Sequence, residues 1–580
     1  MSFLNSPGVN TSEIDLTTAV PATGTSTGAT VGVFRWGPAN TVIQVSSESD
    51  LVQKFFEPDN NTAVSFLSAA NFLAYGNDLR VVRVINTTAG ATASNNAVSN
   101  TSHYVTIPND ETYFNNQYNS ANAVVQFAAR YPGELGNSLK VSVCANAATF
   151  AAWVYAPLFD SAPNTSNYAA TTTGNVNLQD ELHIVVVDED GAITGVANTV
   201  LERWSNLSKA SDARGDDGSS IYYKEVLYRN SLYIHWLGHA TGANATNAWG
   251  QTVTTVNASG DKFHAPAVAT YSLTNGADGT VTQANMVSAI DLLSNSETID
   301  ISLLFAGDCG VGANSSISAA AVSSQYLTIA ANRKDCVAFV SPAQANVVGS
   351  QASAAAVVNF RNTLTSTSYG VMDSGWKYQY DKYNDVYRWV PLNADIAGLC
   401  VRTDLQRDPW FSPAGFNRGQ VRNIVKLALN PTQSERDTLY KAGVNPVVSF
   451  PGEGTVLYGD KTLQGRPSAF DRINVRRLFI TLEKAISNAA RSSLFEFNDE
   501  FTRAQFVSLV EPFLRDVQGR RGIYDFRVVC DESNNTPAVI DRNEFVGDIY
   551  IKPARSVNYI QLNFVAVRSG VAFDEIVGRF

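Results

Sequence analysis

No histidine follows His264, no CxxC pair occurs, and no apolar run approaches the roughly 18 residues that cross a bilayer. Each absence removes a class of function. A Ser–His–Asp relay is excluded from residues 265–580, and no GxSxG elbow exists to carry one. The five cysteines, Cys144, Cys309, Cys336, Cys400 and Cys530, are widely spaced and mostly set in apolar runs. They read as buried free thiols of a reducing cytoplasm. No cation precedes Arg35, so a secretory signal peptide is not expected, and neither is membrane insertion.

Charge is also sparse. Charged residues make up 16% of the chain, and the net charge is −11. An acidic bulk disfavours nucleic acid as a direct partner, because phosphate contacts need a basic surface. The acid is unevenly spread: residues 415–580 hold 22 Lys/Arg against 19 Asp/Glu, and the remainder 20 against 34. Such a dipolar split suits self-association, with one subunit's acidic region facing another's basic one.

What is present offers little chemistry. His235 and His239 have the spacing of paired ligands, but "LYIHWLGHA" reads as a strand entering a turn, and that spacing converges only on a helix. Gly310, Gly312 and Ser315 follow a strand and precede a helix. Ser315 stands where a dinucleotide turn needs its third glycine, and no acidic ribose partner ends the next strand. No catalytic, cofactor-binding or metal-binding residue is assigned, and no cofactor is expected.

Local patterns organise the chain. Residues 1–25 form an extended arm in which Val9, Ile14, Leu16 and Val20 alternate with polar residues. A helix over "SDLVQKFF" has Ser49 or Asp50 as its cap. Between about 100 and 265, short runs such as "LKVSVCA" and "ELHIVVVDED" read as a β-sandwich or small barrel. From 281 strands and helices alternate. Thr432 and Glu435 form a capping box, and Val475, Leu478, Phe479, Leu482, Ile486 and Ala489 stripe one helix face. Thr502 and Gln505 read as the cap of the next helix, which stops at Gly519. The chain ends in a period-two strand, "SVNYIQLNFVAV", bearing Val557, Tyr559, Ile560, Leu562 and Phe564.

Taken in order, several stretches resemble the tail sheath proteins of contractile bacteriophages. They are "NSPGVNTSEID", "TGATVGVFRWGPANTVIQVSSESDLVQKFF", "AARYPGELGNSLKVSV", "ANRKDCVAFVSP", "LNPTQSERDTLYKAGVNPVVSFPGEGTVLYGDKTL" and "NVRRLFITLEKAISNAARSSLFEFN". Any one is explained by turns joining strands; their order along the chain is not.

The resemblance implies an α+β multidomain fold: a C-terminal α/β domain completed by the N-terminal region, an inserted β-rich domain, and a subtilisin-like α/β domain without catalytic residues. The expected limits are 1–25 (arm), 26–95 (N-terminal part of the core), 96–265 (outer insertion), 266–414 (middle domain), 415–555 (C-terminal domain) and 556–580 (terminal strand). It implies a non-enzymatic homo-oligomer of stacked rings around an inner tail tube protein, with baseplate and tail terminator proteins as further partners. Such a subunit belongs to a virion tail assembled in the host cytoplasm. The alternatives are a receptor-binding or capsid-surface β-protein, or the sheath of a phage-like injection machine. Arm and terminal strand are expected to link neighbouring subunits, and Arg472, Arg476, Arg477 and Lys484 are the candidate tube-facing cations.

Overall fold

The computed structural model describes residues 24–88, 93–120, 124–239, 248–308 and 317–558. The described residues fall into two compact units, one of 24–409 with 413–485, the other of 410–412 with 486–558.

The first unit opens with β1 (Gly28–Gly32), β2 (Val42–Val45), α1 (Glu48–Phe55), α2 (Ala63–Leu73) and β3 (Leu79–Arg83). The cap of α1 is Ser47, whose hydroxyl accepts from the Asp50 amide at 3.1 Å. Asp50, expected as a cap, sits in the first turn and accepts from the Ser46 amide. All five residues of β1 are buried. A Cβ at Gly28 would lie 2.3 Å from the Phe72 ring, so glycine is what lets α2 pack this closely.

After β3 the chain builds the expected β-rich body: β4 (Phe127–Ala129), β5 (Leu139–Cys144), β6 (Glu181–Asp188), β7 (Thr199–Ser208), β8 (Ile234–Trp236) and β9 (Ala269–Ser272). The antiparallel sheet β7-β6-β5-β9 and the pair β4-β8 enclose Val141, Val143, Ile184, Val186 and Trp236. The β7 strand escaped the sequence reading because "TVLERWSNLS" is mostly exposed or half-buried and shows no clean apolar alternation.

The chain then returns to its first sheet through α3 (Gln283–Asp291), β10 (Leu303–Phe305), α4 (Ala319–Arg333), β11 (Val337–Val340), α5 (Ser353–Thr363) and β12 (Gly370–Met372). The sheet runs β12-β11-β10-β1-β3-β2, parallel except for β2 against β3. Here the expected architecture needs a correction. The N-terminal strands complete the sheet of residues 303–372 and do not complete a C-terminal domain. A fully buried strand such as β1 needs a hydrogen-bonding neighbour on each edge, and β3 and β10 supply them. Period two then separates two cores. Leu304, Ala338 and Met372 face one side, and Leu303, Phe305, Phe339 and Val371 the other.

The unit continues through β13 (Trp376–Asp381), β14 (Val386–Pro391), α6 (Asn393–Gln406), β15 (Lys426–Leu427), α7 (Gln433–Lys441), β16 (Val447–Phe450), β17 (Gly454–Leu457) and the start of α8 (Ile473–Ala490). The Thr432–Glu435 capping box forms, and Ile473 and Ile480 join the sheet's second core.

In the second unit α9 (Glu500–Gly519) is capped by Asp499, which accepts from the Thr502 amide at 2.8 Å. Its start therefore precedes the expected Thr502 cap. Phe506, Val510, Leu514 and Val517 form its buried stripe. The strands β18 (Ile523–Val529) and β19 (Asp548–Pro553) pair as an antiparallel ribbon.

Candidate assembly surfaces

Parallel α/β sheets offer ligands a crevice at the carboxyl ends of their strands. Here the described residues at those ends bond to one another. Ser341 donates to Asp373 at 2.6 Å and accepts from the Asn393 amide at 3.0 Å. The Asn393 side chain spans Gly307, accepting from its N–H at 3.1 Å and donating to its carbonyl at 3.2 Å. All three side chains are buried, and burial pushes the Asp373 carboxyl up to about 8 against the lowering effect of its Ser341 and Gly375 hydrogen bonds. The glycine-bearing segment 309–316, with Cys309, lies outside the described residues. His235 is buried in β8 with its ring stacked on Tyr113, while His239 bonds the Tyr223 hydroxyl, so the two do not converge.

The four candidate cations, Arg472 just before α8 and Arg476, Arg477 and Lys484 on it, all have partners within the chain. Arg472 pairs with Asp460 at 2.9 Å and also bonds the Tyr440 hydroxyl. Arg476 is 6% exposed, clasped between the rings of Tyr369 and Phe470 at 4.2 and 4.0 Å, and donates to Ser368. Burial holds its guanidinium below the ordinary arginine value, with the Tyr369 ring opposing. Arg477 grips Asp404 of α6 through two bonds, at 2.8 and 2.6 Å. Burial opposes that charge, but the Asp404 carboxylate more than offsets it and holds Arg477 above the ordinary value. Lys484 pairs with Asp300, whose side chain is 59% exposed. A free cationic face was the expectation, but sequence periodicity cannot reveal a carboxylate arriving from another element.

The Arg477–Asp404 pair also holds the first described residues of the chain. Thr25 donates its hydroxyl to Asp404 at 2.8 Å, and its carbonyl accepts from Arg477 at 3.4 Å. On the same stretch Ser302 donates to the Gly24 carbonyl at 2.9 Å, and Thr27 donates to Asp78 at 2.8 Å. The chain is thus held at Gly24, Thr25 and Thr27, the start of the described residues. Val9, Ile14, Leu16 and Val20 lie outside the described residues, as do Tyr559, Ile560, Leu562 and Phe564. Val557 is described and exposed.

The ribbon of the second unit pairs Phe526 with Ile551 and Val528 with Ile549 on one face, and Asp525 with Lys552 on the other. Among the described residues it has only these two strands. Each strand therefore presents one edge without a described partner. A two-stranded ribbon is marginal by itself, and such edges template further strands.

Comparison with known proteins supplies a match along the whole chain. Residues 279–463 match the phage tail sheath protein central domain and 466–566 the phage tail sheath C-terminal domain. Residues 25–84 match the domain III N-terminal region of a tail sheath protein. The tail sheath protein of Vibrio phage KVP40 is 37% identical, covering 99% of this chain and 100% of that one. That of Enterobacteria phage T4 is 34% identical, covering 99% of both. A crystal structure of a sheath tail protein from Listeria innocua matches with a TM-score of 0.51 and 12% identity, over 92% of this chain and 96% of that one, a likeness of fold alone.

Proposed function

Because the chain belongs to the contractile phage tail sheath family and is a subunit of such a sheath, we propose that its subunits are joined by exchanged strands. The arm around Val9–Val20 from one copy and the strand from Val557 to Val567 of another add to the open β18–β19 ribbon, a case of β-augmentation. The observation carrying this reading is the pairing of an open ribbon with an arm clamped at its root. The clamp fixes where the arm leaves the body, while the arm spans to a neighbour. Bodies joined in this way can rotate and slide without losing the connection.

The reading makes the work of contraction a difference in packing between two polymer states, with no nucleotide consumed and no peptide cleaved. A difference of about 1–3 kcal/mol per subunit, within the usual range of coupling energies, becomes large over a polymer. The β-rich insertion (residues 96–265) is proposed as the outer domain, and the parallel sheet as a subtilisin-like layer without catalytic residues. The inner tube, baseplate and terminator proteins are the proposed partners, with assembly in the host cytoplasm. Lys484 is the proposed tube contact on α8: its side chain is 16% exposed and its partner Asp300 is 59% exposed, so the pair opens to solvent on the aspartate's side, where a tube carboxylate takes that partner's place. Arg472, Arg476 and Arg477 act instead in holding the fold.

Electron microscopy with sedimentation tests the strand exchange. The chain lacking residues 1–20 is expected to stay soluble, melt cooperatively and form no ringed tubes. Ordinary tubes from that variant would sink the proposal.

A further inference from the structure

The second unit carries opposite charge at the two ends of one helix. The 20 residues of α9 set those ends about 30 Å apart. Leading into its first turn, Leu494, Phe495, Phe497 and Phe501 are exposed, Phe495 fully and Phe497 at 86%. Glu496, Asp499 and Glu500 lie among them. At the far end Arg515, Arg520 and Arg521 are exposed; Arg515 pairs with Glu511 at 3.2 Å and Arg520 with Asp516 at 3.4 Å, leaving an excess of one positive charge, and Arg520 lies 5.4 Å over the ring of Trp410. The helix dipole accounts for acid at the start and base at the end. It does not account for three phenylalanines in water. Exposed apolar side chains rimmed by charge mark a protein contact, and aromatic residues are those favoured at the centre of one.

We infer that this acidic aromatic segment docks on a second copy of the chain, against the basic end of α9. The charges are complementary, and the Arg520 guanidinium over Trp410 offers a flat cationic platform for an incoming phenylalanine ring. The two surfaces differ, so each copy keeps one unused after the first contact. Such a head-to-tail contact propagates into rings or helical filaments, whereas a self-complementary one stops at a dimer and here would set acid against acid. The inference rests on the sheath reading for the existence of a polymer, but the contact is testable by itself.

The test is cross-linking between two chains that each carry one added cysteine, Phe497→Cys and Arg521→Cys, both in a Cys309→Ser background; the remaining Cys144, Cys336, Cys400 and Cys530 are buried. The chains are mixed, polymerised and oxidised, and their melting is compared with the parent. The 497–521 cross-link is expected to exceed either homodimer at least ten-fold. Dominant 497–497 homodimers, capture of the tube protein at position 497, or tubes without a cross-link would each overturn the contact. Wild-type tubes without a cross-link remove this contact only; absence of tubes from the wild-type chain removes the sheath reading as well. As a second measure, Glu496→Arg with Glu500→Arg is expected to lower the polymer fraction at least ten-fold. So is Arg520→Glu with Arg521→Glu, and all four changes in one chain restore it. Failure of that rescue counts against the contact.

Discussion

Arg477 and Asp404, 73 residues apart in sequence, form a buried two-pronged ion pair that also holds the Thr25 hydroxyl. A cation read from the sequence as a contact for another protein is therefore an internal strut, and it also holds Thr25 at the start of the described residues.

Removing one partner leaves the other charge buried. Arg477→Ala and Asp404→Ala are each expected to cost about 3–5 kcal/mol of stability in denaturant unfolding. Reversal of Arg476 and Arg477 to Glu should unfold the first unit and not merely block assembly. Replacing the pair by Met and Leu recovers most of the stability, because burying a matched pair gains little over apolar packing. That double variant should still form tubes poorly, since Thr25 has lost its anchor. Full tube formation by a stable double variant would show that the clamp is irrelevant to assembly.

Lys484 makes the opposite case. Lys484 is 16% exposed but Asp300 is 59% exposed, so Lys484→Gln, which removes the charge without setting a second carboxylate against Asp300, should change stability by about 1 kcal/mol. If Lys484 meets an acidic tube surface, the same variant assembles on tubes several-fold more slowly, and more so at low salt. An unchanged assembly rate would remove α8 from the tube interface.

Asp373 sets a pH dependence whose sign can be worked out. Its folded value of about 8 is raised above the ordinary 3.8 by burial. Between those values the folded state holds a proton that the unfolded state releases, so this group's stabilisation is complete below about 4 and lost as pH rises through 8. Asp373→Asn keeps the hydrogen-bonding shape without the titration. Thermal melts should show it gaining more on wild type at pH 8 than at pH 5, and equal gains at both would refute the assignment.

Gly28 is set by contact with Phe72. Gly28→Ala places a methyl where only 2.3 Å separates it from the ring, an overpacking expected to cost about 1–3 kcal/mol. Phe72→Leu in the same chain should recover part of that loss by a double-mutant cycle.

The α8 stripe, the Thr432–Glu435 box, the β18 and β19 runs and the ordered family stretches were all legible in the sequence. Each depends on residues within one or two turns of one another, and local periodicity records which side of an element meets apolar surroundings. The same local signal misled wherever the partner came from elsewhere. A cation on a helix face reads alike whether water or Asp404 stands opposite, so α8 looked free. A buried strand declares that it needs two neighbours but not which ones, so the pairing of β1 with β10 across the whole β-rich insertion was decided by tertiary structure. The arm expected over residues 1–25 lies almost wholly outside the described residues. That Thr25 is held by Asp404 and Arg477 depends on three segments meeting at one point, which only the folded chain specifies.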